Sequence, residues 1–269
     1  MQKKFYPIII VTVLAVLVIG GGIFAFFKLQ PSKIASEPTQ TVKKKITLPF
    51  NVIALADRPL VSIEPQADGR NIVIGVAEVR KDALEAEYEL EYQAGTLLQG
   101  AANVFSLNEV PTTQKILLGS CSAGGACTYH EDVKGGTMIM TFSGGAEPYA
   151  LKSDWKYWDN KAKETEVSSR DAKFQLSSQD LARQRYLIVF NAFGVPGKVP
   201  GTAVSSPYNL SSSGTLTGSG KLTLRTNEDG GTTIIGWDGS AWKEFPTTVN
   251  GKELTATVDL LPLYLAIKK

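Results

Sequence analysis

An all-β exported region behind one N-terminal transmembrane helix is the architecture that this 269-residue sequence predicts. Three observations carry the expectation. Residues 7–27 form one uncharged apolar run. Past residue 44, apolar side chains recur in short or alternating stretches, the period of strands rather than of helices. Turn pairs such as Asp238-Gly239 and Asn250-Gly251 punctuate those stretches, and no long amphipathic helix follows residue 28. Parallel α/β folds need crossover helices, so the pattern points to antiparallel sheets.

The composition is that of a folded chain, with 43% hydrophobic and 20% charged residues. The formal charge of +2 is unevenly placed. Three of the 28 basic residues (Lys3, Lys4 and Lys28) fall in the first 28 positions, which hold no acid, and the other 25 face 26 acidic residues. A body so nearly neutral has no electrostatic footprint for nucleic acid. A single His and two Cys leave few ways to build a metal centre or a nucleophile–base pair.

The elements follow in chain order. Residues 1–6 are a short basic N-terminus, expected on the cytoplasmic side. The run 7–27, PIIIVTVLAVLVIGGGIFAFF, spans about 30 Å as a helix, the thickness of a bilayer's hydrocarbon core, and lipid is its expected partner. A cleaved signal peptide would have a shorter apolar run and a small-x-small cleavage site, and neither is present. Gly21 and Ala25 form a small-xxx-small pair. Residues 28–44 hold Pro31, Pro38 and several Ser and Thr without apolar period, the composition of a flexible tether. The expected location is therefore the cell membrane, single-pass, with the C-terminal region extracytoplasmic.

Residues 45–195 read as a β-sandwich domain. Strands are expected at Ile46–Leu55, Asn71–Val79, Glu85–Tyr92, Lys115–Leu118, Thr137–Phe142, Lys173–Leu176 and Tyr186–Phe190. In EAEYELEY the four Glu alternate with Ala86, Tyr88, Leu90 and Tyr92, one wet face and one buried. Ser178 is placed to cap one short helical turn before Tyr186. Residues 196–220, dense in Gly, Pro and Ser, read as a linker or long loop. Strands resume at Lys221–Arg225, Thr232–Trp237, Trp242–Phe245, Leu254–Val258 and Leu263–Ile267, making 221–269 a smaller C-terminal β module. It is small for an independent antiparallel domain, which leaves open a core shared with the preceding sandwich.

Two stretches resemble known proteins. Leu176–Phe193, with Asp180, Tyr186 and LIVFNAFG, resembles the E–F corner and F strand of bacterial immunoglobulin-like domains, where a Tyr opening strand F bonds back to the corner. The Asp180–Tyr186 spacing is two residues longer than in that motif. IIGWDGSAW, followed by TATV and LYLAI, resembles the closing module of many bacterial surface proteins. Together they resemble single-pass, N-terminally anchored surface proteins with immunoglobulin-like exported regions. The resemblance implies an immunoglobulin-like sandwich and a surface location, and no activity.

Three groups of residues could carry chemistry. Cys121 and Cys127 bound a five-residue Gly-containing loop that can close as a disulfide across a hairpin tip, in a compartment that permits oxidation. The same two Cys with His130 could instead ligate a metal, although zinc sites favour closer Cys spacing and a fourth ligand, or act as free thiols. Asp154-Trp-Lys-Tyr-Trp-Asp159 puts Trp155 and Tyr157 on one face of a strand and Trp158 on the other. These three are the candidate ligand-binding residues, either stacking on sugar rings or plugging the core. Trp237 and Trp242 are expected to clasp their turn from inside. Acids at Asp57, Glu64, Asp68 and Asp229 lack EF-hand spacing. No G-x-S-x-G elbow and no phosphate-cradling glycine loop occurs, and no cofactor is implied. The expected role is non-catalytic, namely binding, adhesion or envelope structure, with a surface glycan or protein as the ligand; the alternative is an extracytoplasmic enzyme or metal-binding protein using Cys121, Cys127 and His130.

Overall fold

The computed structural model describes residues 48–269, and residues 47–269 form one compact unit. The expected anchor at 7–27 and tether at 28–44 lie outside the described residues. Among the described residues no helix is long and apolar enough to cross a membrane. The described residues are all-β, and every pair among their twenty named strands is antiparallel.

A three-stranded sheet runs β1 (Leu60–Pro65), β2 (Asn71–Glu78) and β5 (Thr112–Leu117). The central sheet begins with β17 (Trp242–Phe245), β16 (Thr233–Trp237), β20 (Leu263–Lys268), β14 (Tyr208–Ser212) and β12 (Tyr186–Asn191). It continues through β9 (Tyr149–Asp159), β8 (Val133–Ser143), β3 (Glu85–Ala94) and β4 (Leu97–Ser106), with short β13 (Thr202–Ala203) also on β20. A five-stranded sheet runs β10 (Glu166–Ser168), β11 (Phe174–Ser177), β15 (Ser219–Arg225), β19 (Glu253–Asp259) and β18 (Thr247–Asn250). A small hairpin, β6 (Gly119–Cys121) with β7 (Cys127–Tyr129), stands apart.

Hydrophobic pattern explains the layering. In β12 the side chains alternate between two cores: Ile188 and Phe190 join one, Leu187 and Val189 the other. β20 does the same, with Leu263, Leu265 and Ile267 against Tyr264 and Ala266. A strand buried on both faces has no polar side to show, so LIVF and LYLAI read as unbroken apolar runs. The first core faces the three-stranded sheet through Ile63, Ile72, Ile74 and Ile116. The second faces the five-stranded sheet through Phe174, Leu176, Leu222 and Leu254. Each such side chain contributes about 1.5–3 kcal/mol by leaving water. In β3, by contrast, only Ala86, Tyr88, Leu90 and Tyr92 are buried, and the four Glu alternate to the opposite face.

Three expectations change. Residues 221–269 do not stand apart: β16, β17 and β20 belong to the central sheet, and β15, β18 and β19 to the five-stranded one. Tyr264 and Ala266 pack with Leu222 and Leu254 of the same stretch, but the opposite face, with Leu263, Leu265 and Ile267, is covered by strands from elsewhere in the chain. The Gly/Pro/Ser-rich 196–220 is not a plain linker, because β14 pairs with both β12 and β20. Nor is Ile46–Leu55 a strand where it is described. Phe50 makes one bridge to Ala150, Asn51 takes a positive φ of 62°, and Leu55–Asp57 form a 3-10 turn.

At the corner, Ser178 caps the 3-10 turn Gln179–Arg183 as expected, its Oγ accepting from Asp180 N. Tyr186, however, stacks on Tyr157 with its ring over Gly69. The corner-type bonding belongs to Tyr264, whose Oη accepts from Leu261 N and donates to Asp259 O, both at 2.6 Å.

Candidate functional site

The site begins with the two-residue period of β9. Odd residues of that strand face the first core, and Trp155 and Tyr157 are buried there, Trp155 completely. The Trp155 indole donates to Glu91 O at 3.3 Å and meets Tyr92 edge-on at 6.2 Å. Burial pushes the Tyr157 phenol well above its ordinary range, and its hydroxyl donates to Gly69 O at 3.4 Å. Neither ring is available for stacking on a ligand. That corrects the expectation for Trp155 and Tyr157, since the apolar pair selects the covered face of the sheet.

Trp158 points the other way. It packs partly on the second core and lines a cleft of about 500 Å³ beside β10, β11 and β15. The Lys156 ammonium sits 4.6 Å from the Trp158 ring centroid and donates to Ser168 Oγ at 2.8 Å. Burial lowers the Lys156 pKa from the usual lysine value, and the charge of Glu164 acts against that shift.

Buried Asn160 shapes the loop that carries Glu164. Its Oδ1 accepts from Glu164 N at 2.7 Å, and its Nδ2 donates to Glu164 O and to Leu181 O, each at 3.1 Å. Glu166 on β10, Gln175 on β11 and Lys221 on β15 complete the polar wall. One aromatic face with fixed donors and acceptors around it suits a ligand that is apolar on one side and rich in hydroxyls on its rim.

A second cleft, of about 480 Å³, is lined by Arg58, Lys152 and Asn191. Many of its polar groups already hold the chain together. Arg58 donates to Ile53 O and Asn51 O, at 3.0 and 2.8 Å, while the Asn51 side chain bonds both backbone groups of Lys152.

Cys121 and Cys127 face each other across β6 and β7 and form a disulfide. Their sulfurs are bonded to one another and supply no thiolate, which removes the Cys121–Cys127–His130 metal alternative. His130 Nδ1 instead meets Tyr92 Oη at 2.9 Å and fastens the hairpin to the core. Among the described residues no group of three or more His, Cys, Asp or Glu could hold a metal ion. Trp237 and Trp242 pair across their turn, ring centroids 5.4 Å apart, and both pack on the first core.

The sequence placed Trp158 opposite Trp155 and missed Glu164, Glu166, Gln175 and Lys221. Glu164 lies on the Asn160 loop and the others on β10, β11 and β15, and no spacing in the chain joins them to Trp158. Comparisons with family models, with curated proteins and with solved structures find no match for this chain.

Proposed function

We propose that the chain is a membrane-anchored, extracytoplasmic β-sandwich protein whose role is non-catalytic binding at the cell surface, and that the Trp158 cleft takes a glycan. The uncharged run at 7–27 supports the anchor, and the stretches resembling immunoglobulin-like surface modules support the location. The observation that carries the ligand class is Trp158 itself. It is the one candidate aromatic of β9 that lines a cleft, with Lys156 held over its ring. A pyranose that stacks its C–H face on this ring takes the place of the Lys156 ammonium, which then turns to the sugar hydroxyls beside Glu164 and Gln175.

The test is a glycan array followed by calorimetry, using the full chain in detergent and its Trp158→Ala variant. Loss of binding in a variant that keeps its far-ultraviolet spectrum supports the reading. Binding undiminished by Trp158→Ala, or no binding to any glycan on a broad array, overturns it. Protease accessibility of residues 48–269 on intact cells tests the topology separately.

A further inference from the structure

An end strand presents unpaired N–H and C=O groups to any strand that comes near, and natural proteins guard such edges with charges, Pro, bulges or brevity. Among the described residues, five of the six edges in the three larger sheets are guarded in this way. β17 has four residues, with Lys243 and Glu244 among them and Pro246 beyond. β1 carries Glu64, Pro65 and an irregular register at Leu60/Val61. β5 holds Lys115 behind Pro111. β10 and β18 have only three and four residues. β4 differs from all of these. It runs ten residues, LLQGAANVFS, with no charge and no Pro, and it pairs with β3 in unbroken register. Leu97, Leu98 and Val104 are 63%, 70% and 51% exposed.

We propose that β4 is a homodimerisation strand: two copies pair it antiparallel about a two-fold axis at Ala101, so that one sheet continues through both chains. The register follows from the hairpin. Gly95-Thr96 make a two-residue turn closed by the pair Ala94–Leu97, and Gly95 has the positive φ (56°) that a type II′ turn needs first. Bonded pairs then recur at every second residue, so Leu97, Gln99, Ala101, Asn103 and Phe105 bond to β3. The backbone groups of Leu98, Gly100, Ala102 and Val104 face outward, and the Val104 N–H, which donates to Asn103 Oδ1 at 2.9 Å in the single chain, exchanges that bond for one to the second copy. With the axis at Ala101, Leu98 lies opposite Val104 of the second copy, and Gly100 opposite Ala102. By symmetry these make four bonded pairs, or eight hydrogen bonds. On the other face Leu97 meets Phe105 of the second copy, and Gln99 meets Asn103.

Charge permits the contact. The Glu rows of the two β3 strands would stand three strand spacings apart, about 14 Å. That exceeds the screening length of about 8 Å in physiological salt. Pairing β4 with β17 of another copy would instead build an open filament, against an edge that is short and charged. The two-fold arrangement closes.

The experiment is sedimentation of the full chain in detergent micelles, wild type against Leu98→Lys. By symmetry one substitution alters two cross-strand pairs, and the dimer should weaken by about 2- to 30-fold. Leu98 is already in water, so the monomer should keep its unfolding midpoint. Ala101→Cys should oxidise to a covalent dimer, because residue 101 faces itself across the axis. Ala102→Cys should not, its partner lying beyond disulfide reach. A chain that stays monomeric at every concentration overturns the proposal and leaves the edge to a strand of another protein. So does a dimer indifferent to Leu98→Lys, which is how association through residues 7–27 would behave. Cross-linking at 102 in place of 101 also overturns it.

Discussion

Replacing Trp155 by Ala separates the two uses that an aromatic on β9 can have. The ring is fully buried, donates to Glu91 O and meets Tyr92 edge-on. A side chain of this size buries roughly 150–250 Å², which at about 25 cal/mol/Å² gives about 4–6 kcal/mol of transfer free energy, part of which Ala retains. Large-to-Ala changes at aromatic core sites cost about 3–5 kcal/mol by direct measurement in other proteins, and the two figures agree. For a chain of this length that is a fall of roughly 6–20 °C in Tm, at about 2–4 °C per kcal/mol. Urea denaturation followed by circular dichroism reads the change without relying on tryptophan emission. Trp158→Ala, at a partly buried ring against the second core, should cost less, about 1–3 kcal/mol in the same assay. If Trp155→Ala left the midpoint in place, the ring would not be part of the core, and the assignment of β9's two faces would fail.

Other consequences are as concrete. Tyr264→Phe removes the hydroxyl that links Leu261 N to Asp259 O in a buried corner, and should lower stability by about 1–3 kcal/mol by denaturant titration. Replacing both Cys121 and Cys127 by Ser releases a short loop. The cost should be about 2 kcal/mol or less by scanning calorimetry, with the fold retained, and complete unfolding would show that the hairpin does more than fix its own shape. Burial raises the phenols of Tyr157 and Tyr264, and pushes that of Tyr149 up to about 12. Each contributes stability that is complete below the unfolded value of about 10 and is lost as pH rises toward the folded one. Ultraviolet titration should therefore show these phenols ionising late and together with unfolding, and early reversible ionisation of all of them would contradict the buried placement.

How much of this was legible in the chain depended on how many faces of a strand are covered. EAEYELEY shows its register openly, because one face is wet and Glu marks it. LIVF and LYLAI show that a strand exists and hide which side chain goes to which core, since both faces are dry. β14 was missed because Pro207 and the serines around it signal a loop, while its two neighbours supply the burial that the local sequence does not advertise. β4 was missed for a related reason: LLQGAANVFS has neither alternation nor charge to give it a period. At the site, the phase of β9 was readable from Trp155, Tyr157 and Trp158. The wall around Trp158 was not, because Glu164, Gln175 and Lys221 come together only through pairing across the five-stranded sheet and the Asn160 loop.

β20 is the last of the twenty strands along the chain and lies between β16 and β14, well inside the central sheet. A chain made from its N-terminus emerges first without the strand that joins β16 to β14. Until Leu263–Lys268 arrive, β14 lacks its second neighbour and the two cores lack five of their buried side chains. Closure of the central sheet is thereby deferred until Leu263–Lys268 are available, and with so much non-local pairing it should be slow.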